Sequence, residues 1–186
     1  TPHWYSTMFG VYFFAGSFVG FIALLSVVAV AMRRAGLLDT VISAEHLHDI
    51  GKFLFAFTAF WAYIGFSQFF LIWYANLPEE AIWYQARLEG SWMTVSLLLM
   101  VGHFGVPFFY LMGRAVKRRE STLAIGGAWL LVMHFLDLYW LVMPTLHPEG
   151  LRPSVLDVAA LVTVGGCFLA AASWLMRRRA LVPLRD

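Results

Sequence analysis

Five stretches of this chain are each long and apolar enough to cross a lipid bilayer, and that leaves few folds open. They cover residues 7–32, 53–77, 92–112, 123–143 and 155–176. A hydrocarbon core about 30 Å thick takes roughly 20 apolar residues wound as a helix. Backbone exposed to lipid must satisfy its own hydrogen bonds, so a spanning segment is either a helix or a strand of a closed barrel. Barrel strands alternate apolar and polar residues over about ten positions, and these runs are longer and uniformly apolar. With 61% hydrophobic and 13% charged residues, against about 25% charged in soluble domains, the chain reads as an all-α integral membrane protein with five transmembrane helices.

The charges are segregated between the connections. Arg33, Arg34 and Lys52 lie after the first run and before or at the start of the second; Arg114, Lys117, Arg118 and Arg119 separate the third from the fourth. Arg177, Arg178, Arg179 and Arg185 follow the fifth, whereas the opposite side carries only Arg87 and Arg152, among Glu79, Glu80, Glu89, Glu149 and Asp157. Cytoplasmic loops of membrane proteins carry the excess of Lys and Arg, so the N-terminus is expected outside and the C-terminus in the cytoplasm. No basic stripe of the kind that binds nucleic acid occurs. The single cysteine, Cys167, rules out an internal disulfide and a Cys-based iron–sulfur or zinc site. The chain begins Thr1-Pro2-His3-Trp4-Tyr5, without an initiator Met or a signal-peptide pattern. This suggests a processed or internal start and a part of a longer protein. Trp4 and Tyr5 suit an interfacial anchor, as do Tyr139 and Trp140 at the far end of the fourth run.

Two connections carry helix signals. Pro78 suits a first helical position, Glu79 and Glu80 suit the positive end of the helix dipole, and Gly90 suits a stop. Residues 78–89, with Ile82, Trp83 and Tyr84, therefore read as a short helix on the outer membrane surface, its aromatic pair facing lipid or a partner. Ser43 is a candidate N-cap for a helical entry containing Glu45, His46, His48 and Asp49.

Ionisable residues inside the runs carry the functional question. An Asp at mid-helix costs about 2.5–3.5 kcal/mol to insert, yet Asp137 sits in the middle of the fourth run with His134 three residues before it. The spacing puts both on one side of the helix, where they can form a carboxylate–imidazole pair suited to proton relay, because an imidazole titrates near neutral pH. The alternative is a locked structural pair. His103 precedes Pro107 by four residues; the proline removes a hydrogen bond and crowds the carbonyl at 103, which opens the backbone beside an imidazole. His103 and His134 on adjacent spans also raise axial ligation of a haem, against which stand the acidic neighbour and the proline. Tyr63, Ser67 and Gln68 either join helices by hydrogen bonds or line a quinone-sized cavity with His103 and Asp137. His46, His48, Asp49 and Lys52 form a titratable cluster at the cytoplasmic edge, either a solvated loop or a proton entry. Gly16 and Gly20 form a GxxxG pattern, and Gly126-Gly127 and Gly165-Gly166 are similar small-residue sites for close helix packing.

Taken together, His48-Asp49-Ile50-Gly51-Lys52, Trp61-Ala62-Tyr63, Phe66-Ser67-Gln68 and Trp73-Tyr74-Ala75-Asn76-Leu77-Pro78-Glu79-Glu80 form a dense block. With His103-Phe104, Pro107-Phe108 and Asp137-Leu138-Tyr139-Trp140, this block resembles the ActF-type membrane subunits of bacterial alternative complex III, which are NrfD-like (polysulfide-reductase-type) proteins. The resemblance spans nearly the whole chain and corresponds to the C-terminal half of a ten-helix subunit. It implies a four-helix bundle plus one additional helix, in the inner (cytoplasmic) membrane of a bacterium. It also implies a place in a quinol:electron-acceptor oxidoreductase that delivers electrons to a cytochrome or copper protein. Partners would be an iron–sulfur subunit, multihaem and monohaem cytochrome subunits and a sister NrfD-like subunit. Haem and iron–sulfur centres would belong to those partners, with no cofactor bound by this chain alone except where menaquinone or another quinone enters a shared cavity. The resemblance makes Tyr63, Ser67, Gln68, His103, His134 and Asp137 a membrane proton relay and His48, Asp49 and Lys52 its cytoplasmic end. The chain would not be catalytic alone. Rival readings are a structural anchor for peripheral redox subunits and a proton-coupled transporter.

Overall fold

The computed structural model describes residues 6–178. Every regular element among them is helical, and five helices have the length and hydropathy to span a membrane: Thr7–Arg34, Ala44–Ala75, Gly90–Met112, Glu120–Leu146 and Val155–Arg178. The chain is thus an all-α, multi-pass membrane protein. Trp4, Tyr5, Arg179 and Arg185 lie outside the described residues.

Helix α1 is Thr7–Arg34 and α2 is Ala44–Ala75. The second helix begins nine residues before the apolar run because Ser43 caps it. The Ser43 Oγ accepts from the His46 N–H at 3.4 Å, and the Ser43 N–H donates to His46 Nδ1 at 3.0 Å. Histidine thereby fills the reciprocal role that Glu or Gln usually takes in such a box. The cluster of His46, His48, Asp49 and Lys52, expected at the cytoplasmic edge, is therefore helical and continuous with the span. Asn76, in the left-handed region at φ 49°, ends α2, and Pro78 two residues on starts α3, Pro78–Leu88, whose acidic first turn holds Glu79 and Glu80.

The third span is interrupted. An α-helix, α4 (Gly90–Leu99), passes into a π-helical segment, Met100–Gly105, and then into α5, Val106–Met112. Pro107 has no N–H for the carbonyl of His103, and the Val106 N–H reaches back five residues to the Val101 carbonyl. The Gly102 carbonyl, which Val106 would occupy in an α-helix, instead accepts the Trp129 indole N–H at 2.7 Å. The opened backbone expected beside His103 is this segment.

A short helix, α6 (Arg114–Arg118), leads into α7, Glu120–Leu146. At this end Arg33 and Arg34 of α1 grip Glu120 at 3.1 and 3.3 Å, and Arg118 pairs with Glu45 of α2. Lys117 is buried: its ammonium donates to the Leu111 and Met112 carbonyls, at 2.6 and 3.2 Å, which end α5 without helical partners. Burial, and after it the Lys52 charge, hold its pKa below the usual lysine value. The helices α1, α2, α4–α5 and α7 form the bundle, with α1 packed against both α2 and α7. Gly127 lets α1 and α7 approach: a Cβ there would stand 2.9 Å from the Ala23 carbonyl oxygen.

Among the described residues, those up to Leu151 form one compact unit and those from Arg152 a second. The second contains α8, Val155–Arg178, none of whose residues is buried and in which Asp157 accepts the Ser154 N–H at 2.9 Å.

Candidate functional site

Among the described residues the bundle buries one carboxylate, and four helices meet around it. Asp137, on α7, is 1% exposed. Its Oδ1 accepts the hydroxyl of Tyr12 from α1 at 2.5 Å, and its Oδ2 accepts the indole N–H of Trp61 from α2 at 3.1 Å. An ionised carboxylate only accepts, so two donors on its two oxygens are the partners it requires once water is excluded. The other face of this group is supplied by the π-helical segment. The His103 ring stacks on Trp61 with centroids 4.0 Å apart and planes 30° from parallel, and its centroid lies 6.4 Å from that of His134.

The glycines of α1 make room for these side chains. A Cβ on Gly16 would lie 3.2 Å from Asp137 Oδ2 and 3.4 Å from His134 Cε1, and one on Gly20 would lie 2.6 Å from His134 Cδ2. Tyr12, Gly16 and Gly20 are spaced four apart and so share a face of α1. The GxxxG pattern therefore does more than bring two backbones together; it forms the bay that receives His134 and Asp137.

The imidazoles are not paired with the carboxylate. His134 was expected to bond Asp137; Tyr12 and Trp61 occupy both carboxylate oxygens instead, and the buried His134 Nδ1 has no hydrogen-bond partner. His103, with none of its surface exposed, has no partner on either ring nitrogen. Buried polar atoms are nearly always satisfied. Three unpartnered nitrogens lie on two rings whose centroids are 6.4 Å apart, next to the carboxylate's own donors. Among the described residues, no cluster of three or more His, Cys, Asp or Glu side chains has metal-ligand geometry.

The remaining residues expected in the relay fall elsewhere. Tyr63 is 64% exposed, and the Ser67 hydroxyl donates to the Tyr63 carbonyl of its own helix at 2.7 Å. Gln68 is 3% exposed and turned into a groove. At the end of α2, Lys52 pairs with Asp49 at 2.7 Å and His48 Nδ1 lies 3.9 Å from Glu45. At about 1.5 Å per helical residue, Asp49 and Trp61 are about 18 Å apart along α2, so the end cluster is not in contact with the buried carboxylate.

The groove, about 570 Å³, runs along α2 opposite α3, α4 and the π-helical segment. Tyr12 and Trp61 line it, so the two donors to Asp137 separate the carboxylate from the groove. Tyr63, Phe66, Phe104 and Phe108 supply aromatic walls.

The end of the bundle that carries α3 is closed by tryptophan. Trp83 and Trp140, expected at a lipid interface, are 7% and 8% exposed, with rings edge to face at 5.3 Å. Arg87 is 1% exposed and lies 3.5 Å over the Trp83 ring, donating to the Trp83 and Leu141 carbonyls at 2.8 Å each. Its pKa is lowered to about 10 by burial, which still leaves it charged at neutral pH. Trp140 donates to Ser96 Oγ at 2.8 Å, and Ser96 donates to the Arg87 carbonyl at 2.8 Å. Neighbouring Tyr84 has its hydroxyl pKa raised by burial, against the influence of Arg87 and Gln68.

Tyr12, Trp61 and Arg87 are the site residues that the sequence reading left out of the relay. Tyr12 had a signal in its spacing to Gly16 and Gly20. Arg87 had none, because it sits in a polar connecting segment. No protein-family model matches this chain, and no curated protein matches its sequence.

Proposed function

We propose that this chain is a proton-handling membrane subunit of a quinol:electron-acceptor oxidoreductase, of the kind represented by alternative complex III. The reading is supported above all by the buried Tyr12–Asp137 hydrogen bond at 2.5 Å. A phenol and a carboxylate in such contact can share a proton, and an Asp retained at mid-membrane depth marks a proton or ligand path. The buried ring nitrogens of His103, which stacks on Trp61, and the buried Nδ1 of His134, whose ring lies 6.4 Å away by centroid, have no hydrogen-bond partner and are the natural continuation of that path.

The resemblance supplies the larger setting: the inner (cytoplasmic) membrane of a bacterium, with iron–sulfur, haem and sister NrfD-like subunits as partners. The distribution of Lys and Arg orients the chain with the α3 connection outside and the Arg114–Arg118 connection in the cytoplasm. A cysteine placed at Glu89 then reacts with an impermeant thiol reagent in intact cells and one placed at Ser121 does not; the reverse pattern inverts the orientation.

One rival has an observation of its own. Asp137 ties α1, α2 and α7 together through two hydrogen bonds, which is also what a purely structural clasp would do. Asp137→Asn separates the two readings, since the amide keeps the shape and one acceptor but does not titrate. In the assembled complex in vesicles, the proton reading expects quinol oxidation to continue with fewer protons moved per electron. Unchanged translocation by a folded Asp137→Asn complex leaves the clasp.

A further inference from the structure

The end of the bundle that carries α6 holds more guanidinium than carboxylate. Arg33 and Arg34 share one carboxylate, Glu120, and Arg118 takes Glu45. Lys52 is matched by Asp49, the Lys117 ammonium is spent on backbone carbonyls, and Asp39 accepts the Thr40 N–H. Arg114 and Arg119 are exposed, and among the described residues neither forms an ion pair. Arg114 reaches Glu45 only through its field.

These two cations sit at the membrane boundary on an ordered turn. Arg114 follows Met112, the end of the third span, by two residues, and Arg119 precedes Glu120, the start of the fourth. The Thr122 hydroxyl donates to the Val116 carbonyl at 2.7 Å, with the Arg119 carbonyl 3.1 Å away. The Tyr110 hydroxyl donates to the Thr122 carbonyl at 3.0 Å, and Arg34 donates to Ser121 Oγ at 2.8 Å. A turn held this way leaves little backbone to order when a ligand binds.

On the membrane side of the turn the outer face is apolar. Val106 and Phe109 are exposed on α5 three residues apart, and Ile125, Trp129 and Val132 are exposed at helical spacing on α7. The two helices are adjacent: besides the Tyr110–Thr122 bond, a Cβ on Gly126 would lie 3.2 Å from the Tyr110 ring. Cations at the bilayer edge beside two apolar stripes fit a phosphate joined to acyl chains. The guanidinium fork matches phosphate oxygens, and basic pockets between membrane helices take anionic headgroups.

We propose that the turn from Arg114 to Arg119 and the adjoining outer face of α5 and α7 bind an anionic phospholipid. Its phosphate takes the Arg114 and Arg119 guanidiniums, and its acyl chains lie along the two apolar stripes. The proposal does not draw on the proton-handling reading, and neither stands or falls with the other.

Fluorescence quenching of the full chain in phosphatidylcholine vesicles tests it. Met112 and Met93 are exposed near opposite ends of the third span. Each is replaced by Cys in a Cys167→Ala background and labelled with a nitrobenzoxadiazole fluorophore. The quenchers are phosphatidylglycerol and phosphatidylcholine with identical nitroxide-bearing acyl chains. At Met112, phosphatidylglycerol is expected to associate about fivefold or more tightly than phosphatidylcholine, the factor that one cation near an anionic lipid supplies. At Met93 the two lipids should associate equally. Arg114→Gln with Arg119→Gln should erase the preference at Met112 and leave quenching by phosphatidylcholine as it was, whereas Lys at both positions should keep most of it. Inorganic phosphate should lower the preference no more than chloride of equal ionic strength, which screens both alike.

Equal ratios at Met112 and Met93 in the otherwise unaltered protein overturn the proposal, independently of how the arginine variants fold. A preference unmoved by the two Gln substitutions overturns it as well. Phosphate that abolishes the preference where chloride does not assigns a soluble-anion site in place of a lipid. A Met112 reporter that neither lipid quenches assigns the face to another protein segment, and the lipid proposal falls.

Discussion

The Tyr12 hydroxyl meets the Asp137 carboxylate at 2.5 Å across 125 positions of sequence, joining α1 to α7 at the buried centre of the bundle. Both residues line up with small residues that make the contact possible, since Gly16, one turn from Tyr12, faces Asp137 Oδ2. The relation commits the fold and the chemistry together: removing either partner leaves a buried polar atom without its mate.

Tyr12→Phe removes that donor and leaves the ring in place. The expected loss of stability is about 1–3 kcal/mol, the cost of an unmet buried acceptor, read as a lower thermal midpoint in detergent. Combined with Asp137→Asn, the effect should be less than the sum of the two, with a coupling of about 0.5–3 kcal/mol. Strict additivity would mean that the two side chains do not depend on each other.

Gly20→Ala tests the bay for His134. The new Cβ would lie 2.6 Å from His134 Cδ2, well inside contact distance, so the imidazole or the helix must shift at a cost of about 1–3 kcal/mol. Gly10→Ala is the control, because nothing lies within 4 Å of a Cβ there. Equal unfolding midpoints for the two variants would show that His134 moves aside freely.

Length and hydropathy alone made the five spans and the all-helical class legible, because lipid allows so few alternatives. The Ser43 cap, the short helix from Pro78 and the disturbance near Pro107 were legible from local chemistry. What was not legible is which polar residues meet. His134 and Asp137 share a helix side, and spacing suggested a pair, yet both carboxylate oxygens go to donors on other helices. Intrahelical spacing says which residues are neighbours on one surface, whereas partners are set by the neighbouring helix and its glycines. Trp83 and Trp140 looked interfacial by composition but are covered by each other and by Arg87.

Arg87→Ala should free α3 from α7. The guanidinium donates to the Trp83 and Leu141 carbonyls and stacks on Trp83, and its pKa of about 10 keeps it charged through the neutral range. Hydrogen bonds from a charged group contribute about 1.5–3 kcal/mol. Hydrogen exchange in α3, Pro78–Leu88, is expected to accelerate while that of α2 is retained. Arg87→Lys should recover only part of the protection, since an ammonium lacks the planar fork that reaches two carbonyls and covers a ring. Unaltered exchange in α3 for both variants would mean that the tryptophans hold the helix without the cation.

Trp129→Phe addresses the π-helical segment. Its indole N–H occupies the Gly102 carbonyl at 2.7 Å, one residue before His103, and that carbonyl is free only because the Val106 N–H turns to Val101. Phenylalanine keeps most of the packing and removes the donor. The expected cost is modest, about 0.5–1.5 kcal/mol for one hydrogen bond, but its effect should be local. Amides of the Met100–Gly105 segment should exchange faster, while those in the middle of α7 remain protected. Restoring a donor with Trp129→His should slow exchange again. Equal protection of the segment in the tryptophan and phenylalanine proteins would mean that Pro107 alone maintains the π geometry that places His103 against Trp61.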